Sequence, residues 1–307
     1  MNESHRRVLI AGGTGFLGEA VRNDLREAGY NVRLLVRSSR DAETYQDLGF
    51  ETALGDVVDP QSLVIAMDSV DCVINLVAII KESGEATFER INFQGSVNLV
   101  NAARQASVHR LIKMSALGAG NLPDFPYFYT KWRAETYVQD HIPNWTIMRP
   151  SIIFGPSSEG HYQFVAQLAD LLRSAPVTPV AGDGRSLFQP IHTLDVAAAF
   201  TRAVEDESTF GQIYDLAGPE VLTYREILDE VARTLDIKKP SINVPVPLIR
   251  LGISIMNPLP FIEPPVTHGQ LDMLQIDNTT NDNAAPRLLE RPLHPFIGGL
   301  DFLRTDY

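Results

Sequence analysis

Tyr127 and Lys131, in the stretch YFYTKWRAE, stand four residues apart, and Ser115 closes the predicted strand HRLIKMS twelve residues before Tyr127. On a helix that spacing puts the phenol and the amine on one face. Pro126 suits a first helical turn, so both side chains are expected near the helix start. A phenol of pKa about 10 is a poor acid or base at neutral pH, but a neighbouring ammonium favours the phenolate. The three residues are therefore candidate catalytic groups. Tyr127 would exchange a proton with a substrate hydroxyl or carbonyl, and Ser115 would hold the substrate oxygen. Tyr129, two residues before Lys131, points to another face.

Moving the proton alone does not change the oxidation state of carbon, and the chain begins with a loop suited to a hydride carrier. In RVLIAGGTGFLGEAV (7–21), Val8 to Ala11 reads as a short buried strand. Leu17, Ala20, Val21, Leu25 and Ala28 follow at the spacing of one helical face. Gly12, Gly15 and Gly18 then sit at a strand-to-helix turn. The first permits the tight turn, the second lets backbone N–H groups approach a pyrophosphate, and the third lets helix and strand pack closely. The phosphates would rest on the positive end of the helix dipole. A dinucleotide is the predicted occupant, and Lys131 would also hold its nicotinamide ribose.

The end of the second strand discriminates between the two nicotinamide dinucleotides, because an acidic residue there accepts hydrogen bonds from the ribose 2′-hydroxyl. This chain places Arg37, Ser38, Ser39 and Arg40 there. Guanidinium groups suit a 2′-phosphate, so NADP(H) is favoured over NAD(H). Asp56, after the third strand, is a candidate partner for the adenine amino group, with a plain turn residue as its alternative.

The elements that must position these groups alternate strand and helix, the order of a parallel sheet covered on both faces. Strands are predicted at 31–36, 50–54, 71–78, 109–115 and 144–149, with a long helix over 87–107. Asp59 and Pro60 open a short helix. The fold class is α/β, a Rossmann-type doubly wound parallel sheet with a smaller C-terminal substrate domain. The boundary is placed at 1–152 against 153–307, with segments near 187–217 as candidates to return to the first domain. Thr223 and Glu226 have capping-box spacing.

Composition narrows the partners. The chain has 307 residues, 44% of them apolar, and a formal net charge of −12. That length supports one large and one smaller domain, and that charge argues against nucleic acid or anionic lipid as the main partner. Cys72, the sole cysteine, lies in an apolar run and reads as core. No signal peptide and no apolar run of membrane-spanning length is evident, so a cytoplasmic location is expected. The seven histidines show no metal-ligand spacing, and no metal is expected. His161 and His192 are candidates to reach a substrate cleft. The apolar stretch 246–262 is expected to pack over that cleft; a lipophilic substrate or peripheral membrane contact is its alternative reading. Oligomeric state is not legible.

GGTGFLG, the Gly-Asp at 55–56, NLVA, INFQGSVNLVNAA, MSALGA, YFYTKWRAE and RPSIIFGP together resemble the short-chain dehydrogenase/reductase superfamily in its extended or atypical branch. FQPIHTLDVAAAF, GQIYDLAGPEVLTYREIL and RPLHPFIGGLDFL are most similar to the dehydrogenase-like accessory subunit of respiratory complex I and its bacterial relatives. The resemblance implies a bound NADPH, often without a known substrate, with Asn75 and Asn92 near the cofactor and the active-site backbone. The full set of candidate cofactor contacts is Gly12, Thr14, Gly15, Phe16, Leu17, Gly18, Arg37, Asp56, Val57, Val77, Ala78, Asn92, Lys131 and Pro150. Three functions stay open: an oxidoreductase on a hydroxyl or carbonyl, a non-catalytic NADPH-binding subunit or redox sensor, and a nucleotide-sugar epimerase or dehydratase. The short second half, with no evident basic set for a second pyrophosphate, departs from the sugar-nucleotide pattern.

Overall fold

The computed structural model describes residues 6–161, 163–256, 271, 274 and 276–304. Up to Pro150 the order is β1 (Arg7–Ala11), α1 (Phe16–Glu27), β2 (Asn31–Val36), α2 (Ser39–Asp47), β3 (Glu51–Leu54), α3 (Pro60–Ala66) and β4 (Cys72–Asn75). A π-helical segment (Phe88–Gln94) then runs into α4 (Gly95–Gln105), followed by β5 (Arg110–Met114), α5 (Pro126–His141) and β6 (Asn144–Pro150). The chain continues through β7 (Ile153–Phe154), α6 (Phe164–Ser174), β8 (Thr178–Ala181), β9 (Leu187–Phe188), β10 (Ile191–His192), α7 (Thr193–Glu205) and β11 (Gln212–Leu216). It ends with β12 (Leu222–Thr223), α8 (Tyr224–Thr234), β13 (Ser241–Val244), α9 (Val246–Met256) and a short helix α10 (Ala285–Leu289).

Two compact units result. One takes the described residues up to Pro150 with Leu194–Leu216 and Asn283–Arg291; the other takes Ser151–Thr193, Ala217–Asp282 and those from Pro292 onward. The first unit is built on a seven-stranded sheet in the order β11-β6-β5-β4-β1-β2-β3, parallel throughout. Strand order reverses between β1 and β4, and in such sheets ligands bind outside the carboxyl ends of the strands at that point. Alternation along β5 sorts its side chains between the faces. Leu111 joins Leu9, Val73 and Ile147 in a core sealed by Leu63 of α3, Leu99 and Ala103 of α4 and Val138 of α5. Arg110, out of phase with Leu111, is buried on the opposite face, where it donates to Thr146, to Thr209 and to the Ala203 carbonyl of α7. That anchor helps explain why α7 belongs with the first unit.

The structure refines several boundaries read from sequence. The fourth strand stops at Asn75, and 76–79 leaves the sheet as a loop at the reversal point. The single long helix over 87–107 is instead the π-helical segment joined to α4. Residues 212–216 pair with β6 in the large sheet. By contrast, β9 pairs with β12 and β10 with β7, small ladders within the second unit. Asn283–Arg291 joins the first unit through a bond from the Ala284 N–H to the Asp215 carbonyl, 2.9 Å. The second unit has its own core, centred on Phe154, Leu172, Phe188, Leu228 and Phe296. Thr223 and Glu226 form the capping box that starts α8. Of the apolar stretch 246–262, residues 257–262 lie outside the described residues; on α9, Leu248 and Leu251 are 59% and 57% exposed. No helix among the described residues is long and apolar enough to cross a membrane.

Candidate functional site

The glycine loop occupies the reversal point. Gly12 has φ +86°, a conformation that costs other residues a Cβ clash. A Cβ on it would also lie 3.0 Å from the Val77 nitrogen, so the loop after β1 touches the loop after β4. At Gly18 a Cβ would fall 2.2 Å from the Gly12 carbonyl oxygen, which leaves room only for hydrogen. Helix α1 has Gly15 at its N-cap and no side-chain cap, so the first-turn N–H groups of Phe16, Leu17 and Gly18 are left for another acceptor. Thr14 and Gly15 are half-buried beside them. This cradle, with its uncapped helix end, fits a dinucleotide pyrophosphate. Gly18→Ala is expected to lower stability by about 1–3 kcal/mol, because the opposing atom is backbone and cannot rotate away. Dinucleotide affinity should fall at least tenfold; denaturant unfolding and ligand titration read the two effects.

Arg22, which the sequence reading passed over, braces this loop. Its side chain is buried under Gly13, donating to the Gly13 carbonyl at 2.6 Å, with its guanidinium over the rings of Tyr45 and Phe50. It sits one turn of α1 past Gly18, where an arginine in sequence reads as solvated.

The residues expected at an adenosine end differ in character. Arg37 is exposed at the end of β2 and no partner engages its guanidinium among the described residues. Ser38 caps α2 by accepting from the Asp41 N–H. Asp56 spends one carboxylate oxygen on the Val58 N–H, 3.1 Å, the turn role that was its alternative reading. Val57 is buried, and its carbonyl accepts from Asn98 at 2.8 Å.

The loop after β4 is held by two buried asparagines. Asn75 accepts from the Val77 N–H at 3.1 Å, and Asn92 brackets Ile79 by accepting from its N–H at 2.8 Å and donating to its carbonyl at 3.1 Å. Asn92 lies in the π-helical segment, whose wider turn is a frequent device at functional sites. Val77 and Ala78 are thereby fixed, half-buried, beside the glycine loop.

At the end of β5 the Ser115 N–H donates to the Met148 carbonyl at 2.6 Å, and Leu117 donates to that of Pro150 at 2.9 Å. The Ser115 hydroxyl is buried and has no hydrogen-bond partner among the described residues. Lys131, fully buried on α5, donates to the Met114 carbonyl at 3.1 Å, which brings its amine beside Ser115. Tyr127 lies one turn earlier, its ring edge-on to Phe88 and Phe128. Pro126 opens α5 at the expected first turn. Tyr129 faces elsewhere, stacked on Trp132.

Electrostatics here differ from the simple expectation of a lowered phenol. Burial pushes Tyr127 up to about 12. Lys131 is itself driven well below the usual lysine value, first by burial and then by the nearby Lys113, with Glu135 opposing. In the cofactor-free protein the phenol therefore keeps its proton. Glu135, one turn beyond Lys131, is buried in a two-pronged pair with Arg149 at 2.9 and 2.5 Å. Neither Lys113 nor this pair was singled out in sequence.

The remaining candidates have other engagements. Cys72 is buried in β4 and its thiol is pushed up to about 12, which removes it as a nucleophile. In the second unit, His161 contacts Glu159 at 3.2 Å, and His192 stacks on His294 with Phe154 edge-on to it.

Comparison with known proteins bears on the family and the fold. Residues 8–217 match the model of the NAD dependent epimerase/dehydratase family. The mitochondrial NADH dehydrogenase (ubiquinone) 1 alpha subcomplex subunit 9 of Arabidopsis thaliana is 28% identical, over 90% of this chain and 71% of that protein. The 4-hydroxy-2-methyl-3-oxo-4-farnesyl-3,4-dihydroquinoline-1-oxide ketoreductase of Stigmatella aurantiaca is 30% identical, over 97% of this chain and 96% of that protein. In fold, the chain is similar to the UDP-glucose 4-epimerase of Thermus thermophilus in complex with NAD. The TM-score is 0.71 at 22% identity, over 98% of this chain and all of that one. A seven-stranded parallel sheet, a glycine cradle at its reversal point and these matches lead to one conclusion: the chain belongs to the NAD dependent epimerase/dehydratase family, the extended short-chain dehydrogenase/reductases, whose members bind NAD(P).

Proposed function

We propose that the protein is an NADP(H)-dependent oxidoreductase that reduces a carbonyl group, with Ser115, Tyr127 and Lys131 as its catalytic residues. The observation that carries this reading is the buried Ser115 hydroxyl, without a hydrogen-bond partner among the described residues, at the end of β5 next to the Met114 carbonyl that the Lys131 amine holds. A buried hydroxyl without a partner is costly, and a substrate oxygen would satisfy it. When bound, the reduced nicotinamide supplies the hydride. Ser115 donates a hydrogen bond to the carbonyl oxygen, and Tyr127 delivers its proton to that oxygen as the alcohol forms. A phenol held at about 12 stays protonated at neutral pH, which suits the donor role in reduction. Lys131 holds the ribose hydroxyls and supports the phenolate that Tyr127 becomes.

The ketoreductase relative, aligned over nearly the whole of both chains, favours a ketone on a lipophilic body as the substrate class. A panel of lipophilic and sugar-nucleotide ketones, followed by loss of NADPH absorbance, tests the reading. Turnover of a lipophilic ketone is expected. If NADPH binds and no carbonyl compound turns over, the non-catalytic role suggested by the respiratory-subunit relative takes its place.

Arg37 underlies the choice of NADP(H), since its exposed guanidinium at the end of β2 has no other engagement among the described residues. Arg37→Ala is expected to weaken NADPH binding by about 1.5–3 kcal/mol and leave NADH nearly unaffected. Titration of both cofactors against both proteins measures the difference.

A further inference from the structure

Lys113 is a fully buried lysine on β5, and neither the candidate triad nor the cofactor cradle uses it. It shares a strand face with Leu111, where an apolar residue would avoid the cost of desolvating an amine. Core packing alone does not account for it; its hydrogen bond does. The strand register sets Ala11, Asn75 and Lys113 side by side on β1, β4 and β5. The Ser96 hydroxyl, buried on α4, gathers that row. It accepts from the Lys113 amine at 2.9 Å and from the Asn75 amide at 3.2 Å, and it donates to the Asn92 carbonyl at 2.8 Å. With one proton given and two lone pairs filled, that oxygen is saturated.

The other ends of the two asparagines grip the loop after β4. Asn75 accepts from the Val77 N–H, and Asn92 both accepts from the Ile79 N–H and donates to the Ile79 carbonyl. At its start this loop is bonded to β1, where Leu76 donates to the Ala11 carbonyl at 2.8 Å. At its end it is held by the π-helical segment, whose Phe88 meets the ring of Tyr127 edge-on. In the sheet order β5-β4-β1-β2-β3 the loop leaves β4 on one side of the glycine turn, whereas Arg37 follows β2 on the other. A dinucleotide with its adenosine phosphate at Arg37 and its nicotinamide at Tyr127 would therefore lay its nicotinamide half over 76–79.

We propose that Lys113 is a positioning residue for the nicotinamide half of the cofactor: through Ser96 it fixes Asn75 and Asn92, and through them the backbone of 76–79 on which that half rests. The proposal rests on the cofactor reading above. Its long stem lets an amine rooted in β5 reach a hydroxyl on α4, so one hydrogen bond joins β4, β5, the π-helical segment and α4. A network whose central hydroxyl is satisfied specifies a single arrangement, where apolar contacts would tolerate several. The same network spans from the glycine cradle, against Val77, to the segment that carries Phe88 to Tyr127. Cofactor and proton donor are thereby held in one frame.

The test uses the whole chain. Amide hydrogen exchange of the free protein, followed residue by residue by NMR, should find the Val77 and Ile79 N–H groups protected in wild type. In Lys113→Met both should exchange faster by about tenfold or more, while Ile10 and Ile112 in the middle of the sheet keep their wild-type rates. Lys113→Met should also weaken NADPH binding by about three- to tenfold and leave 2′,5′-ADP, which lacks the nicotinamide half, within about twofold. Ser96→Ala should reproduce both effects, and the double variant should lose nothing further, because Lys113 acts through Ser96. Lys113→Leu serves should Lys113→Met not fold. Unprotected Val77 and Ile79 in wild type, acceleration shared equally by Ile10 and Ile112, or equal losses for the two ligands overturns the proposal. Absence of binding by both NADPH and 2′,5′-ADP would overturn the cofactor reading, and is distinct from NADPH binding that Lys113→Met leaves unchanged, which overturns the proposal alone.

Discussion

Tyr127→Phe is expected to lower ketone reduction by about 10²–10⁴-fold while NADPH affinity stays within a factor of two or so of wild type. The substitution removes one oxygen and keeps the ring, whose edge contacts with Phe88 and Phe128 fix its place on α5. Nothing in the described structure hydrogen-bonds to the phenol, so no internal partner is left unsatisfied and the fold should be unaffected. Lys131→Met should behave differently. It removes the amine proposed to hold the ribose, so cofactor affinity and turnover should fall together. Single-turnover kinetics with each variant, beside equilibrium titration, separate the two roles. Full turnover in Tyr127→Phe would remove the phenol as proton donor.

The second large effect is on stability. Glu135 is 1% exposed and forms two hydrogen bonds with Arg149 while facing Lys131 and Lys113. Glu135→Ala takes the buried carboxylate away from Lys131, Lys113 and the half-buried Arg149, and is expected to cost about 3–5 kcal/mol in denaturant unfolding. Replacing both partners, Glu135→Leu with Arg149→Met, should cost much less, since an apolar pair of similar volume does not leave an uncompensated charge. If the single variant costs less than about 1 kcal/mol, Glu135 is not the charge that holds this cluster together.

The parts of the molecule legible in sequence are those fixed by local constraint. The glycine loop is one, because a positive φ at Gly12 and a contact only hydrogen can make at Gly18 demand glycine at fixed spacing. The Tyr127–Lys131 spacing is another, since helix geometry alone puts both on one face of α5. What escaped depends on contacts between distant elements. Lys113 alternates along β5 like any strand residue, and only the packing of α4 and α5 on that face makes it a buried charge. The Glu135–Arg149 pair joins a helix to a strand, and neither residue carries a local sign of its partner. Arg22 reads as a solvated helix position until the loop folds over it. The π-helical segment that turns Asn92 toward Ile79 has no periodic signature distinguishable from an ordinary helix. Asn283–Arg291 returns to the first unit through a backbone bond, which leaves no mark in side-chain pattern.

The measurement that bears most directly on the central claim is equilibrium titration of the wild-type protein with NADPH and with NADH, side by side at fixed ionic strength. Saturable one-to-one binding is expected for NADPH, at least tenfold tighter than for NADH, from the cradle at Gly12 to Gly18 and the guanidinium of Arg37. Equal affinities, or no saturable binding of either dinucleotide, would contradict the account.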